Sequence, residues 1–237
     1  MKNILKRLTN ACTKKNLVEV AEESDDPLLP QTTDILKMST QYKQIMFFYQ
    51  AGIHQITTKL EILSNEFKVC NDRNPIKEIV SRVKSPESIN EKMKRKKIPY
   101  SMNNMMNHIR DIAGIRVVCP FISDVYYVAR MLMSQSDIET IEIKDYITDP
   151  KKNGYRSLHL ILMVDVFFSD VKRKVPVEIQ MRTVAMDFWA SLEHQLRYKK
   201  NRLFEKEMER ELKKCAELVS DADVRMQKLA NGIMQEE

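Results

Sequence analysis

The chain has 237 residues, 43% hydrophobic and 30% charged, long enough for one good-sized domain with appendages. It holds only four glycines, and neither G-x-G-x-x-G nor G-x-x-x-x-G-K occurs, which argues against Rossmann-type and P-loop folds. The net charge of +6, from 39 basic and 33 acidic residues, suits an anionic partner without identifying one.

Residues 1–33 read as a flexible lead, acidic from Glu19 to Asp26 and punctuated by Pro27 and Pro30. The basic start is followed by no apolar run, so no signal peptide is expected. No run approaches membrane-spanning length either. Cys12, Cys70, Cys119 and Cys215 are scattered, the pattern of reduced thiols in a cytoplasmic protein. Residues 34–70 predict one long helix. Ile35, Met38, Tyr42, Ile45, Tyr49, Ile53, Ile56, Leu60, Leu63 and Phe67 recur every three or four positions. Such a helix is about 50 Å long, so part of the stripe is expected to pack on another chain or on the C-terminal helix.

Basic charge is densest between Arg82 and Lys97. Ser85 is placed as an N-cap with Pro86 at the first helical position. Ser88, Lys92 and Arg95 then share one helix face, with Lys84 just before it. A helix N-terminus, a hydroxyl and a cationic stripe suit a phosphate group; a solvated basic face or a nucleic-acid patch reads equally from the charge alone. Next come a buried strand at 115–119, entered through a turn at Gly114 and flanked by Asp111 and Arg116, a helix capped by Ser123, and a strand at 138–144. Asp111 is a strand-start cap or a Mg²⁺ ligand beside phosphates.

Lys151-Lys152-Asn153-Gly154 predicts a turn, because Asn and Gly both tolerate positive φ. A strand follows at 157–168, with Tyr155, Ser157 and His159 expected on one face. An aromatic ring beside lysines is what a nucleotide site needs, or simply the polar side of a hairpin. In residues 175–182, Val175, Val177, Ile179 and Met181 face the core while Glu178 and Gln180 face away. Glu178, among many cations, suits a metal ligand, a proton acceptor or an ordinary strand surface. Thr183 caps a helix carrying Phe188, Trp189, Leu192 and Leu196, with Trp189 read as core. Residues 202–234 predict a second long helix whose stripe runs through Phe204, Met208, Leu212, Cys215, Val219, Ala222, Met226, Leu229 and Ile233. Alternating strands and helices indicate an α/β sandwich.

Taken in order, Arg82-x-Lys84-Ser85-Pro86-Glu87-Ser88-Ile89, Asp111-Ile-Ala-Gly-Ile-Arg116-Val, Lys144-Asp145-Tyr146-Ile147, Asn153-Gly154-Tyr155-Arg156-Ser157-Leu158-His159 and Val177-Glu178-Ile179-Gln180-Met181-Arg182-Thr183 resemble the synthetase domain of the RelA/SpoT alarmone enzymes. The resemblance covers about residues 72–200. With no His-Asp pair the chain lacks the hydrolase signature, and it is similar to the small alarmone synthetases. Asp187-Phe-Trp-Ala-Ser-Leu-Glu-His194 with the long flanking helices looks most like the RelQ (YjbM-like) branch.

The resemblance implies a mixed α/β fold (α+β), nucleotidyltransferase-like, with about five strands at 71–200 and a C-terminal helix at 201–237 for packing or oligomerisation. It implies a GTP diphosphokinase of the stringent response, moving the β,γ-diphosphate of ATP to the 3′-OH of GDP or GTP, with GMP a further candidate acceptor. Arg82 and Arg116 would sandwich adenine, and Lys84, Ser88, Lys92 and Arg95 would hold the ATP phosphates. Asp111 and Glu178 would bind Mg²⁺, Glu178 also activating the 3′-OH. Tyr155 would stack on guanine near His159 and Gln180, with Lys144 and Lys151 on phosphates. A homotetramer is expected. Glu142-Ile143-Lys144-Asp145 mixes the Arg-x-Lys-Asp and Glu-x-Asp-Asp patterns of long relatives, so it does not choose between GDP and GTP. Competing expectations are a toxin that pyrophosphorylates the tRNA 3′ end or adenine nucleotides, and a silent RNA-binding module using the basic 82–97 face.

Overall fold

The computed structural model describes residues 32–71, 73–198 and 205–233. The expected lead therefore lies outside the described residues, except for its last two positions, which are helical. The chain divides into two units, residues 1–39 and 40–237. Of the first, only the opening turns of α1 (Thr32–Cys70) are described. In the second, α1 continues, followed by β1 (Glu78–Val83), α2 (Pro86–Arg95), α3 (Met102–His108), β2 (Ala113–Cys119), α4 (Ile122–Met133), β3 (Ile138–Asp145), β4 (Leu158–Phe167), β5 (Lys172–Thr183), α5 (Val184–Tyr198) and α6 (Glu205–Ile233).

The strands form one five-stranded sheet in the order β1-β2-β5-β4-β3. Only β2 and β5 run parallel; the other neighbours are antiparallel. Strand alternation gives the sheet two unlike faces. On one, Ile115 and Val117 of β2, Leu160, Leu162 and Val164 of β4, and Val175, Val177 and Ile179 of β5 are buried in the main core. Ile45, Tyr49, Ile53, Ile56 and Leu60 of α1 and Val125, Val128 and Leu132 of α4 join that core. The other face is polar. The register sets Val80, Arg116, Gln180, His159 and Lys144 side by side across the strands, and Arg82, Gly114 and Glu178 in the next row.

The α1 stripe from Tyr42 to Phe67 thus packs within this chain's own core, not on another chain or the C-terminal helix. From Tyr42 to Phe67 the helix rises about 38 Å, comparable to the roughly 40 Å that a 12-residue strand such as β5 extends, so the length of the stripe does not demand a second chain. The side chains of Ile35, Met38 and Ile233, and Phe204 altogether, lie outside the described residues. Strand β1 was not anticipated. As an edge strand it is mostly exposed, so 78–83 lacks the apolar run that marked the others. Gly114 does not turn; it sits inside the β2 ladder between Arg82 and Glu178. Ser123 is not the cap of α4. There the Asp124 carboxylate accepts the Phe121 N–H at 3.2 Å, while the Ser123 N–H reaches Gln227 Oε1 at 2.8 Å.

On α6 the buried seam is rotated from the predicted stripe. Leu212, Ala216, Val219 and Asp223 face inward, while Cys215, Ala222, Met226 and Leu229 are exposed. The polar Asp223 was invisible to a search for apolar periodicity; its carboxylate accepts the Thr183 hydroxyl at 2.6 Å. Thr183 in turn caps α5 as expected, accepting the Met186 N–H at 3.1 Å. Trp189 is buried against Ala216 and donates to the Leu212 carbonyl at 2.8 Å.

Gly52 marks how closely α1 approaches the sheet. A Cβ there would lie 2.6 Å from Val175 Cγ1 and 3.0 Å from Val175 Cβ. Alanine would gain roughly 1 kcal/mol of helix propensity, but overpacking against a stiff β-branched side chain costs roughly 1–3 kcal/mol. Gly52→Ala is expected to lower the thermal unfolding midpoint, and adding Val175→Ala to recover part of the loss. A midpoint raised by Gly52→Ala alone would contradict this packing.

Candidate functional site

The polar face of the sheet holds a cleft of about 370 Å³. Arg82, Asp111, Arg116, Glu178, Gln180 and Arg182 line it, and Ala190, Ser191, His194 and Gln195 of α5 form a further wall. The α5 wall and Arg182 were not singled out in the sequence. Arg182 stood inside a quoted motif, and the strand alternation that exposed Glu178 and Gln180 places it on the same face.

Asp111 sits in the turn before β2, and two neighbouring elements bring cations to it. The β1–β2 ladder continues through Lys84 N–H to Ile112 carbonyl, 2.8 Å, which sets Lys84 beside the turn. From there the chain enters α2 through the predicted Ser85 cap, whose hydroxyl accepts the Ser88 N–H at 3.3 Å. Lys92 then reaches back from α2. Lys84 Nζ and Lys92 Nζ lie 2.5 and 2.6 Å from Asp111 Oδ2. Burial pushes the Asp111 carboxyl up, but the hydrogen bonds and charges of Lys84 and Lys92 outweigh it, so the pKa falls below the usual value. Asp111 Oδ1 is buried without a hydrogen-bond partner. Ser88 is exposed and bonded to Ser85, and Arg95 is exposed, so neither lines the cleft in the ligand-free chain.

Glu178 lies two strands away from β1 in the same row as Arg82. Gln180 Nε2 donates to its Oε2 at 2.8 Å, and His159 Nδ1 lies 3.3 Å from its Oε1. Burial again pushes the carboxyl up, and the hydrogen bonds and charge of His159, with Gln180, bring it below the usual value; Asp111 opposes them. That last effect places the two carboxylates within electrostatic reach. Asp187, at the first turn of α5, pairs with Arg182 at 3.0 Å and Arg116 at 3.5 Å. The Nε atoms of both arginines are buried without partners.

The Asn153-Gly154 turn forms, but only Gly154 uses positive φ, at 89°. Asn153 contributes its side chain instead, accepting the Tyr155 N–H at 3.2 Å and donating to Glu193 at 3.2 Å. Tyr155 and His159 meet, Oη to Nε2 at 2.8 Å. Ser157 does not join them: it is fully buried and donates to the Met181 carbonyl at 3.1 Å. Lys151 Nζ lies 4.6 Å from the Tyr155 ring centre and 4.5 Å from that of Tyr146. Loss of water lowers the Lys151 pKa, with Arg182 and Lys144 adding to the shift and Glu178 opposing it. Lys144 is exposed and pairs with Glu142 at 3.0 Å.

A divalent cation fits these donors. Magnesium is usually held by one or two carboxylates and completed by water and substrate phosphates. Asp111 Oδ1 is an orphaned hard oxygen, and Glu178 is an ionised carboxylate on the same cleft. Among the described residues no group of three or more His, Cys, Asp or Glu gathers to hold a metal unaided.

The mixed sheet with a cation-rich, two-carboxylate cleft defines an α/β domain built to hold polyanionic ligands. A family profile described as the region found in RelA/SpoT proteins matches residues 81–203. The chain is 42% identical over 193 residues to the GTP pyrophosphokinase YwaC of Bacillus subtilis, covering 81% of this chain and 92% of that protein. It is 32% identical over 195 residues to the GTP pyrophosphokinase YjbM of the same organism, covering 82% and 91%. The crystal structure of small alarmone synthetase 1 from Bacillus subtilis, bound to its product pppGpp, superposes with a TM-score of 0.75 at 32% identity, covering 82% of this chain and 99% of that one. The chain belongs to the RelA/SpoT family and is similar to its small alarmone synthetases.

The lowered Glu178 pKa carries a stability signature. The folded chain keeps the carboxylate ionised at pH values where the unfolded chain, near 4.5, takes up a proton. The resulting stabilisation is present above that pH and is lost as the pH falls through the lower folded value. Glu178→Gln removes it. Chemical unfolding across the acid range should find the stability gap between wild type and variant shrinking as the pH drops below about 4.5. A gap independent of pH would contradict the assignment.

Proposed function

We propose that this chain is a GTP pyrophosphokinase, a synthetase that transfers the β,γ-diphosphate of ATP to the ribose 3′-OH of GDP or GTP. The products are ppGpp or pppGpp and AMP. The observation that carries this reading is the ionised Glu178 carboxylate on the same cleft as Asp111, which Lys84 and Lys92 meet, beside a tyrosine on the acceptor side. The names of the relatives support the same chemistry. A silent RNA-binding module needs neither half-buried carboxylate, and Tyr155 favours a guanine acceptor over the tRNA end.

In this reading Arg82 and Arg116 hold the adenine, and Lys84 and Lys92 leave Asp111 for the ATP phosphates, with Ser88 and Arg95 joining from the exposed face of α2. Mg²⁺ held by Asp111 and Glu178 would neutralise charge on the transferred phosphates. Tyr155 stacks on guanine, next to His159 and Gln180, with Lys144 and Lys151 on its phosphates. Glu178 takes the proton of the 3′-OH as the 3′-oxygen bonds to the β-phosphorus and the bond between the α,β-bridging oxygen and that phosphorus breaks, leaving AMP. Most of the rate comes from aligning these atoms.

The remaining expectations are part of the proposal. No described helix is long and apolar enough to cross a membrane, and the described cysteines, Cys70, Cys119 and Cys215, are free; both are consistent with a cytoplasmic enzyme. Homotetramer assembly is supported by the exposed α5 stripe of Val184, Phe188, Leu192 and Leu196 and by exposed Leu218, Met226 and Leu229 on α6. The RelQ (YjbM-like) branch rests on the run from Asp187 to His194, whereas identity is higher to YwaC than to YjbM.

The test is turnover with labelled ATP, Mg²⁺ and each of GDP, GTP, GMP and deacylated tRNA. Label in ppGpp or pppGpp with equimolar AMP is expected; label on tRNA would make the protein a translation-blocking toxin instead. Glu178→Gln is expected to lower kcat by roughly 10²–10⁴-fold while nucleotide binding persists.

A further inference from the structure

Hydrogen bonds and one close polar contact join the side chains around Glu178 in a ring. Arg182 Nη2 donates to Tyr155 Oη at 2.8 Å and to Gln180 Oε1 at 2.8 Å. Gln180 Nε2 donates to Glu178 Oε2 at 2.8 Å. Tyr155 Oη and His159 Nε2 are 2.8 Å apart, and His159 Nδ1 is 3.3 Å from Glu178 Oε1. Asp187 anchors the guanidinium from outside, Oδ1 to Nη1 at 3.0 Å. Arg182 is itself only 8% exposed.

The chemistry of the ends sets the direction of every bond. A guanidinium only donates and an ionised carboxylate only accepts. Gln180 must therefore turn its carbonyl to Arg182 and its amide to Glu178. Facing Glu178, His159 is favoured to carry a proton on Nδ1, since two lone pairs would repel, and a donor at Nε2 strengthens that preference. In the neutral imidazole that leaves Nε2 as an acceptor. The Tyr155 oxygen accepts from Arg182, so its own proton is free to go to Nε2. The imidazolium, the form whose charge lowers the Glu178 pKa, also donates to Glu178 but offers Tyr155 no acceptor at Nε2, so the arrangement with the Tyr155 proton on His159 is that of the neutral ring. Both Glu178 oxygens then keep lone pairs for the cleft, with the carboxylate plane held from two sides.

We infer that the Tyr155 hydroxyl, backed by Arg182, is a positioning group for Glu178: it holds His159 in the Nδ1–H form and so couples the ring under the acceptor base to the carboxylate that takes the acceptor's proton. This rests on the proposed roles of Tyr155 as guanine platform and Glu178 as base. It adds a role for the hydroxyl that stacking does not need. It also gives Arg182 and His159 a task that involves no contact with the transferred group.

Tyr155→Phe separates the two roles, because it keeps the ring and removes the hydroxyl. In the full chain, with guanine nucleotide varied at saturating ATP and Mg²⁺, Tyr155→Phe should leave the guanine nucleotide KM within about twofold and lower kcat about tenfold, the effect of one lost hydrogen bond to a polar partner. Tyr155→Ala should raise that KM as well. Ligand-free protein with ¹⁵N-histidine, at a pH where imidazoles are neutral, should show His159 protonated at Nδ1 in wild type and a measurably smaller Nδ1–H fraction in Tyr155→Phe, where Glu178 alone still favours that tautomer. An unchanged kcat in Tyr155→Phe overturns the inference, and so does a lower kcat with the His159 tautomer unchanged. If Tyr155→Ala leaves the guanine nucleotide KM unchanged, the stacking reading itself falls, which the Phe variant alone would not reveal.

Discussion

Two carboxylates drawn partly out of water, Glu178 on a sheet face and Asp111 in the turn beside it, are the constraint that the rest of this molecule answers. An ionised carboxylate in a low-dielectric setting is costly unless cations or donors meet it. Asp111 is met by Lys84 and Lys92, and Glu178 by His159 and Gln180. In both cases the compensation outweighs desolvation, and the pKa falls. The fold can be read as the means of delivering those partners. The β1–β2 ladder brings Lys84, the last turn of α2 brings Lys92, and β4 lies beside β5 so that His159 and Gln180 stand in register.

The opposite face makes this possible. The sheet is held from behind by α1 and α4, so its polar face does not have to be covered to stabilise the domain. α5 and α6 instead support the cleft from one side. Trp189 and Ala216 pack beside Tyr155, and a Cβ on Gly154 would come within 2.5 Å of Ala216 Cβ. The turn carrying Tyr155 is therefore fitted to α6, and a residue at positive φ with no side chain is what that approach requires. The C-terminal helix, though distant in sequence, sets the position of the turn that carries Tyr155.

Much of this was legible in the residues. Alternation in β5 separated Glu178 and Gln180 from the core, and the Ser85-Pro86 cap located α2 and the face that carries Lys92. The sequence was silent where the signal is not apolar periodicity. β1 is an edge strand with a mostly exposed surface and so reads as loop. The inner seam of α6 includes Asp223, whose burial depends on Thr183, so the apolar stripe pointed to a rotated face. Ser157 shares strand spacing with Tyr155 and His159 but lies before β4 begins, where period two does not hold. The pairing of Lys84 and Lys92 on Asp111, and the ring through Arg182, are long-range contacts that no local pattern encodes.

In the proposed reading, Asp111 holds Lys84 and Lys92 until they pass to the ATP phosphates. Calorimetric titration of ATP into wild type and Asp111→Asn, with and without Mg²⁺, tests it most directly. Without metal, the variant should bind ATP more tightly, because its lysines are released from a competing anion. With Mg²⁺ the order should reverse, because a metal ligand has been lost. The same order of affinity under both conditions would contradict the account.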